Sequence, residues 1–303
     1  MELDWIEDFL VLAESGIFSK AALRRNVTQS AFTRRIRKLE YAMGAVLFDR
    51  STHPVVLTPA GEEFRPVAAE VLRSLSGARA RLRSLAGSEE MVAVASLQAL
   101  AAGFLPGFLG DIYRDRTPPA VKVMAEDFAG CVEALLTGTA DILLSYAHPS
   151  IVTAELDGRF LSCPVGEDRL VAVTAPDGTG GPRHALSDPR IPYLRYSAES
   201  FLGKVTARIV EGSDLQDRLA PAYQNSMADG LRAAARAGLG VAWLPLRSAA
   251  EDLARGSLLR ISAPGQEEPV AITMFREAAP KSRPVERLWA EIARRADPGG
   301  PPA

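Results

Sequence analysis

"FSKAALRRNVTQSAFTRRIRKLEYAMG", residues 18–44, places seven basic residues in one short stretch of a chain whose net charge is -2. Phe32, Ile36, Leu39 and Met43 recur at helical spacing and form one core stripe. The opposite face carries Gln29, Ser30, Thr33, Arg34, Arg37 and Lys38. Upstream, Ser19 is suited to cap "KAALRR", with Ala21, Ala22 and Leu23 turned inward. "NVT" is a tight connection, with Asn26 suited to a left-handed conformation and Thr28 to an N-cap. Two short helices joined this tightly, the second basic on one face, form a helix-turn-helix pattern. The second helix of such a pair lies in a major groove of double-stranded DNA. Gln pairs with adenine, Arg with guanine, and Thr with several base edges. Arg24, Arg25, Arg37 and Lys38 read as phosphate contacts. A solvated charged helix is the plain alternative, and it does not account for the one-sidedness.

Toward the N-terminus, "DWIEDFLVLAESG" places Ile6, Phe9, Leu10 and Ala13 on one helical face, with Gly16 ending the helix. Downstream, "VLFDR" and "PVVLT" read as two short strands flanking "STHP", a wing from which Arg50 is expected to reach a phosphate. Thr58 followed by Pro59 is a helix start. Phe64, Ala68, Val71, Leu75, Ala78, Leu82 and Leu85 then recur with alternating gaps of four and three, the period of a coiled-coil seam, and predict a homodimer. Pro66 lies inside this helix, where a proline costs about 3 kcal/mol, and predicts a kink.

Charge is strongly uneven. Residues 20–50 carry eight cations and only two anions, Glu40 and Asp49. The rest of the chain is correspondingly acidic, so its overall balance hides a local basic footprint. The opening "MELDWIEDFL" is acidic from its second residue and does not read as a signal peptide. The uncharged run 91–110 contains Pro106, Ser96 and Gln98, and reads as a buried strand and helix rather than a membrane span. Two cysteines do not make a disulfide scaffold and suit a reducing cytoplasm.

Residues 1–86 resemble the winged helix-turn-helix and linker helix of the LysR-type transcriptional regulators, on "FSKAALRRNVTQSAFTRRIRKLEYAMGAVLFDR" followed by "LTPAG". Ser30 stands where a proline is common and Thr33 where a serine is common, departures that bear on base preference. "RNVTQSAFTRRIRKLE" and "GVAWLP" are similar to the hypochlorite-responsive branch. The resemblance implies a winged helix-turn-helix DNA-binding domain over 1–58 and a linker dimerisation helix over 59–88. An effector-binding domain over 89–303 follows, of the two-subdomain α/β periplasmic-binding-protein type. Its subdomain I would comprise 89–161 and 268–303, and subdomain II 162–267, with crossovers near "RFLSCP" and "GQEEPV". The resemblance also implies dimers of dimers, hence a homotetramer.

The sequence after residue 90 agrees with an α/β domain. "MVAVAS", "AVKVMA", "ADILLSY", "RLVAVTA", "IPYLRY", "LAPAYQ" and "GVAWLP" read as strands. "FLPGFLGDIYR", "FAGCVEALLTG", "SFLGKVTARIVEG", "MADGLRAAARAG" and the terminal "PVERLWAEIARR" read as helices. Such alternation predicts a mostly parallel sheet. Open sheets of this kind bind ligands at strand carboxyl ends. The candidates there are Ser96, Leu97, Gln98, Ser145, Tyr196, Ser197, Ser200, Phe201, Ser226 and Met227, suited to a small polar or anionic effector. Each serine taken singly could equally be an N-cap. Phe128 stands where many relatives carry a polar residue, which predicts a less polar cleft.

No Gly-rich phosphate loop, metal-ligand spacing or nucleophile motif is present, and His53, His148 and His184 are scattered through loop-like sequence. An enzyme, a metal or a cofactor is therefore not expected. A solute receptor would lack the first 86 residues. The alternative to a ligand is a redox signal at Cys131, Cys163 or Met227, where burial of the thiols is the plainer reading.

Overall fold

The computed structural model describes residues 2–85, 91–114, 117, 119–151, 158–198, 200–211 and 213–296. The chain forms two compact units, one of residues 1–90 with 133–140, the other of 91–132 with 141–303.

The first unit opens with α1 (Leu3–Ser15), α2 (Phe18–Arg24) and α3 (Gln29–Met43). Gly16 ends α1 at φ 63 and Asn26 sits at φ 53 between α2 and α3, the left-handed positions their residue types suit. Thr28 caps α3, its Oγ1 accepting from Ala31 N at 3.3 Å. Ser19 does not cap α2, because the helix begins one residue before it and the N-cap position falls on Ile17. Leu23 is 77% exposed and Met43 is 39% exposed, so the inward faces of α2 and α3 end earlier than their apolar spacing predicts. Ile6, Phe9, Ala21, Phe32, Ile36 and Leu39 fill a small core beneath β1 (Phe48–Asp49) and β2 (Val56–Leu57), the antiparallel wing.

A charged cluster is built into this unit. Asp8 is fully buried, and its carboxylate accepts from Arg25 Nε at 2.7 Å and Arg35 Nη1 at 3.4 Å. Glu7 adds a second acceptor for Arg25, and Asp4 approaches both arginines. Removing an arginine would leave the buried Asp8 carboxylate short of a partner, which is destabilising.

Helix α4 (Pro59–Leu85) starts at a Thr58 cap, whose Oγ1 accepts from Gly61 N at 3.1 Å. A Cβ at Gly61 would lie 2.2 Å from the Leu47 carbonyl oxygen, so the helix can enter only with glycine there. The helix runs through Pro66 without a break. Phe64 and Ala68, the first two seam positions, belong to the unit's own core, with Phe64 edge-on to Phe9 at 5.0 Å. Leu72 joins that core instead of Val71, which is exposed. The available seam thus begins at Val71. Leu82 and Leu85 lie outside the residues whose side chains are described, and the expected boundary at 88 lies outside the described residues.

In the second unit β3 (Met91–Leu97) is followed by α5 (Gln98–Gly103) and α6 (Leu105–Ile112), which accounts for the uncharged run. Next come β4 (Ala120–Glu126), α7 (Phe128–Leu136, whose residues from 133 on are counted with the first unit), β5 (Ile142–Ala147) and the long β6 (Phe160–Thr174). β7 (Ile191–Tyr196), α8 (Phe201–Glu211), β8 (Leu219–Asn225), α9 (Ala228–Arg236), β9 (Ala242–Pro245) and α10 (Leu246–Arg255) follow. β10 (Leu259–Arg260), β11 (Glu268–Glu277) and α11 (Arg283–Ala296) complete the unit. The main sheet has the order β10-β6-β11-β5-β3-β4, with β9 also on β6; β7 and β8 form a separate parallel pair. Strands β3, β4 and β5 are parallel, but β11 runs antiparallel to both β5 and β6. The sheet is therefore mixed rather than mostly parallel, because two long return strands are stitched into it. Helix α10 was not expected. Its inward residues Leu246, Ala249 and Leu253 keep helical spacing, but they are few and the buried Asp252 among them breaks the apolar pattern.

Candidate DNA-binding face and effector site

Eight cations lie between residues 20 and 50, and the fold divides them. Arg24 pairs with Glu14 at 2.9 Å, Arg25 and Arg35 with the Asp8 cluster, and Arg50 with Glu40 at 2.7 Å. Glu40 also accepts from the backbone N–H groups of Leu47 and Phe48, so it ties the end of α3 to the wing. Arg50 lies over the Phe18 ring at 5.5 Å and is partly buried. The wing arginine is thus paired with an acidic residue at the end of α3, and Arg24 and Arg25 are paired with acidic residues of α1.

The other half of the charge stays open. Among the described residues, no acidic partner is found for Lys20, Arg34, Arg37 or Lys38. Lys38 lies over the Trp5 ring at 5.3 Å. Gln29, Ser30, Thr33, Arg34 and Arg37 line one open concavity along α3. Thr33 Oγ1 donates to Gln29 O at 2.8 Å, and Ser30 Oγ lies 3.2 Å from Thr28 Oγ1, so both hydroxyls are held near the helix start.

In the second unit the candidate effector residues separate. In-register pairing of Ser96 with Leu144 puts Ser96, Leu144 and Tyr146 on one face of the sheet and Ser145 on the other. Ser96 and Ser145 are both fully buried and do not converge. Ser96 Oγ donates to Leu97 O at 3.1 Å, and Gln98 is exposed at the start of α5. Ser200 is an N-cap: its Oγ accepts from Gly203 N at 3.0 Å and donates to Ser197 O at 2.9 Å. Ser226 and Met227 are exposed on the turn before α9. Phe128 and Phe201 meet, with ring centroids 5.4 Å apart.

A polar centre emerges that the sequence reading missed. Asp168, on β6, is 9% exposed and shares a face with Val270, Ile272 and Tyr146. Its Oδ2 accepts from Tyr146 Oη at 3.2 Å, and its Oδ1 from Arg169 N at 2.8 Å and Arg247 N at 3.2 Å. Burial pushes its carboxyl up from the usual range, opposed by those hydrogen bonds and by the Arg247 charge. Tyr196, 4% exposed, has a buried hydroxyl with no hydrogen-bond partner, and Ser145 Oγ is in the same state on the opposite face. The signal for Asp168 was the alternation of "EDRLVAVT", which puts it in line with Leu170 and Ala172 on the core face.

Both cysteines are buried. Desolvation pushes the Cys131 thiol up to about 12 and raises Cys163 as well. Neither has the thiolate character that oxidation requires. No cluster of metal-ligating side chains exists among the described residues, and no described helix is long and apolar enough to cross a membrane.

This architecture, a winged helix-turn-helix preceding a two-part α/β domain, is that of a DNA-binding regulator with an attached sensor. Residues 3–62 match the bacterial regulatory helix-turn-helix protein, lysR family, and residues 85–297 match the LysR substrate binding domain. The chain belongs to the LysR family of transcriptional regulators. It is 30% identical to the HTH-type transcriptional regulator YjiE of Escherichia coli K12, over 96% of this chain and 94% of that protein. Full-length HypT of Salmonella typhimurium, a hypochlorite-specific LysR-type regulator, shares the fold with a TM-score of 0.61 at 30% identity, covering 97% of this chain and 98% of that one. DarR of Vibrio fischeri, solved in complex with DNA, aligns with a TM-score of 0.59 at 32% identity over 97% and 98% of the two chains.

The buried thiols carry a direct expectation. At pH 8 a thiol reagent should leave Cys131 and Cys163 unmodified in the folded protein and titrate both after denaturation. Rapid labelling of either in the native protein would contradict their placement.

Proposed function

We propose that α3 reads DNA sequence through Gln29, Ser30, Thr33 and Arg34, while Arg37 and Lys38 hold the phosphate backbone. The observation that carries this reading is the unneutralised row on α3, left open while four neighbouring arginines are paired. A base-edge contact carries roughly 1–3 kcal/mol of discrimination. Arg34→Ala should therefore lower the ratio of operator to random-DNA affinity by about tenfold or more in binding titrations. Arg50→Ala should instead lower the unfolding midpoint and leave that ratio unchanged, because its partner Glu40 braces the wing. An unchanged ratio in Arg34→Ala would remove base reading from this residue.

The assignment of 1–58 to DNA binding, 59–88 to dimerisation and 89–303 to effector sensing belongs to the same reading. So does the division of the sensor at residues 161/162 and 267/268. The protein acts in the cytoplasm as a non-catalytic regulator. A small-molecule effector works by binding two arrangements of the protein unequally. Among the sequence candidates, the meeting of Phe128 with Phe201 and the unpartnered Tyr196 hydroxyl support an effector site at this place.

A second reading is oxidation. HypT is described as hypochlorite-specific, and of the three candidate sulfur atoms here only that of Met227 belongs to an exposed residue, at 45%. Promoter output separates the two. With a small-molecule signal, Met227→Leu responds as the parent does to a metabolite mixture, and hypochlorite adds nothing. Loss of a hypochlorite response on Met227→Leu, with no response to metabolites in the parent, would establish the oxidation reading instead.

A further inference from the structure

The polar side chains on the outer face of α3 are not equivalent, because one hydroxyl has its hydrogen committed. Thr33 Oγ1 donates to the Gln29 carbonyl oxygen at 2.8 Å, one turn back along the helix. A carbonyl has no hydrogen to offer, so the hydrogen in this bond is the threonine's own. Ser30 differs, since its Oγ lies 3.2 Å from Thr28 Oγ1 and either hydroxyl can donate. Guanine N7 and O6, adenine N7 and thymine O4 are all acceptors in the major groove, and Thr33 as held here can donate to none of them. Turning the hydroxyl outward would exchange one neutral hydrogen bond for another, with little net gain.

The same bond fixes the rest of the side chain. With Oγ1 held against the Gln29 carbonyl, χ1 is set and the γ-methyl occupies a different staggered position, away from that oxygen. Thr33 is partly exposed and lines the open concavity of α3 with Gln29, Ser30, Arg34 and Arg37. Those four neighbours end in amide, hydroxyl or guanidinium groups, so the methyl is the apolar point on a polar row. Serine would make the same bond to the carbonyl, and the group that threonine adds is this methyl. In the major groove the base edge that answers a fixed methyl is the 5-methyl group of thymine.

We infer that Thr33 determines specificity for thymine through its γ-methyl, with its hydroxyl serving to hold that methyl in place. The inference rests on the base-reading role proposed for α3, and it names the base and the group that reads it. A side chain already fixed in one rotamer loses little freedom on binding, so the contact keeps most of its value. Burying one methyl group against another is worth about fourfold in affinity.

The test uses the full-length protein and a duplex that it selects from random DNA. Each thymine of that duplex is replaced singly by deoxyuridine, which removes the 5-methyl group and keeps the base pair and the O4 acceptor. The parent protein should lose about fourfold in affinity at one thymine position. Thr33→Val keeps the γ-methyl without the hydroxyl and should show the same loss. Thr33→Ser keeps the hydroxyl without the methyl and should bind the thymine and uracil duplexes equally. A uracil penalty that persists in Thr33→Ser at every sensitive thymine would assign those contacts to other side chains and overturn the inference. Loss of the penalty in Thr33→Val would make the hydroxyl the reading group and overturn it too, as would a selected duplex with no uracil-sensitive thymine. The operator-to-random ratio of Arg34→Ala decides base reading by α3 separately. If that ratio falls while Thr33→Ser keeps the penalty, the Thr33 assignment alone fails.

Discussion

Asp8 is the constraint on which the DNA-binding unit depends. It is a fully buried carboxylate on α1 that accepts from Arg25 after α2 and from Arg35 on α3. Three helices meet on one charge, so the angle between the helix-turn-helix pair is fixed by electrostatics as well as by the small core of Phe9, Phe32 and Ile36. A core this small leaves orientation underdetermined by apolar burial alone. Glu40 does the same for the wing, bridging two backbone amides and Arg50. The acidic residues of this unit are thus fold-forming, and they leave Lys20, Arg34, Arg37 and Lys38 without an acidic partner among the described residues.

That division explains how an acidic protein presents a basic surface. Paired arginines contribute little field beyond a Debye length, about 8 Å at physiological salt, because each is neutralised within its own salt bridge. The unpaired row on α3 is continuous and faces one direction, as groove binding requires. In the sensor the buried carboxylate is held differently, Asp168 accepting from two backbone amides and the Tyr146 hydroxyl.

Much of this was legible in the sequence, because local rules governed it. Gly16, Asn26 and Thr28 sit where their backbone and capping chemistry demands, and the α3 stripe and the wing follow from spacing. Pairwise electrostatics was not legible. Nothing in the spacing of Arg24, Arg25 and Arg50 tells that Glu14, Asp8 and Glu40 reach them, since these contacts bridge separate elements. In the sensor seven strand positions were recoverable, but β10, β11 and the first half of β6 were not, and neither was strand direction. The antiparallel return of β11 between β5 and β6 depends on pairing distant in sequence, and it brings Asp168 beside Tyr146. Ser96 and Ser145 seemed equivalent as strand-end hydroxyls, yet register places them on opposite faces.

On the reading proposed for α3, the cations of residues 20–50 divide into a fold-forming and a DNA-facing set. The salt dependence of DNA affinity measures the DNA-facing set directly, because each phosphate neutralised adds roughly 0.9 to the slope of log affinity against log salt. Arg37→Ala or Lys38→Ala should each flatten that slope by about one per DNA-bound protomer, without altering unfolding. Arg35→Ala should leave the slope unchanged and lower the unfolding midpoint, because its charge is spent on Asp8 and Asp4. A flattened slope in Arg35→Ala, or an unchanged slope in both Arg37→Ala and Lys38→Ala, would contradict the division.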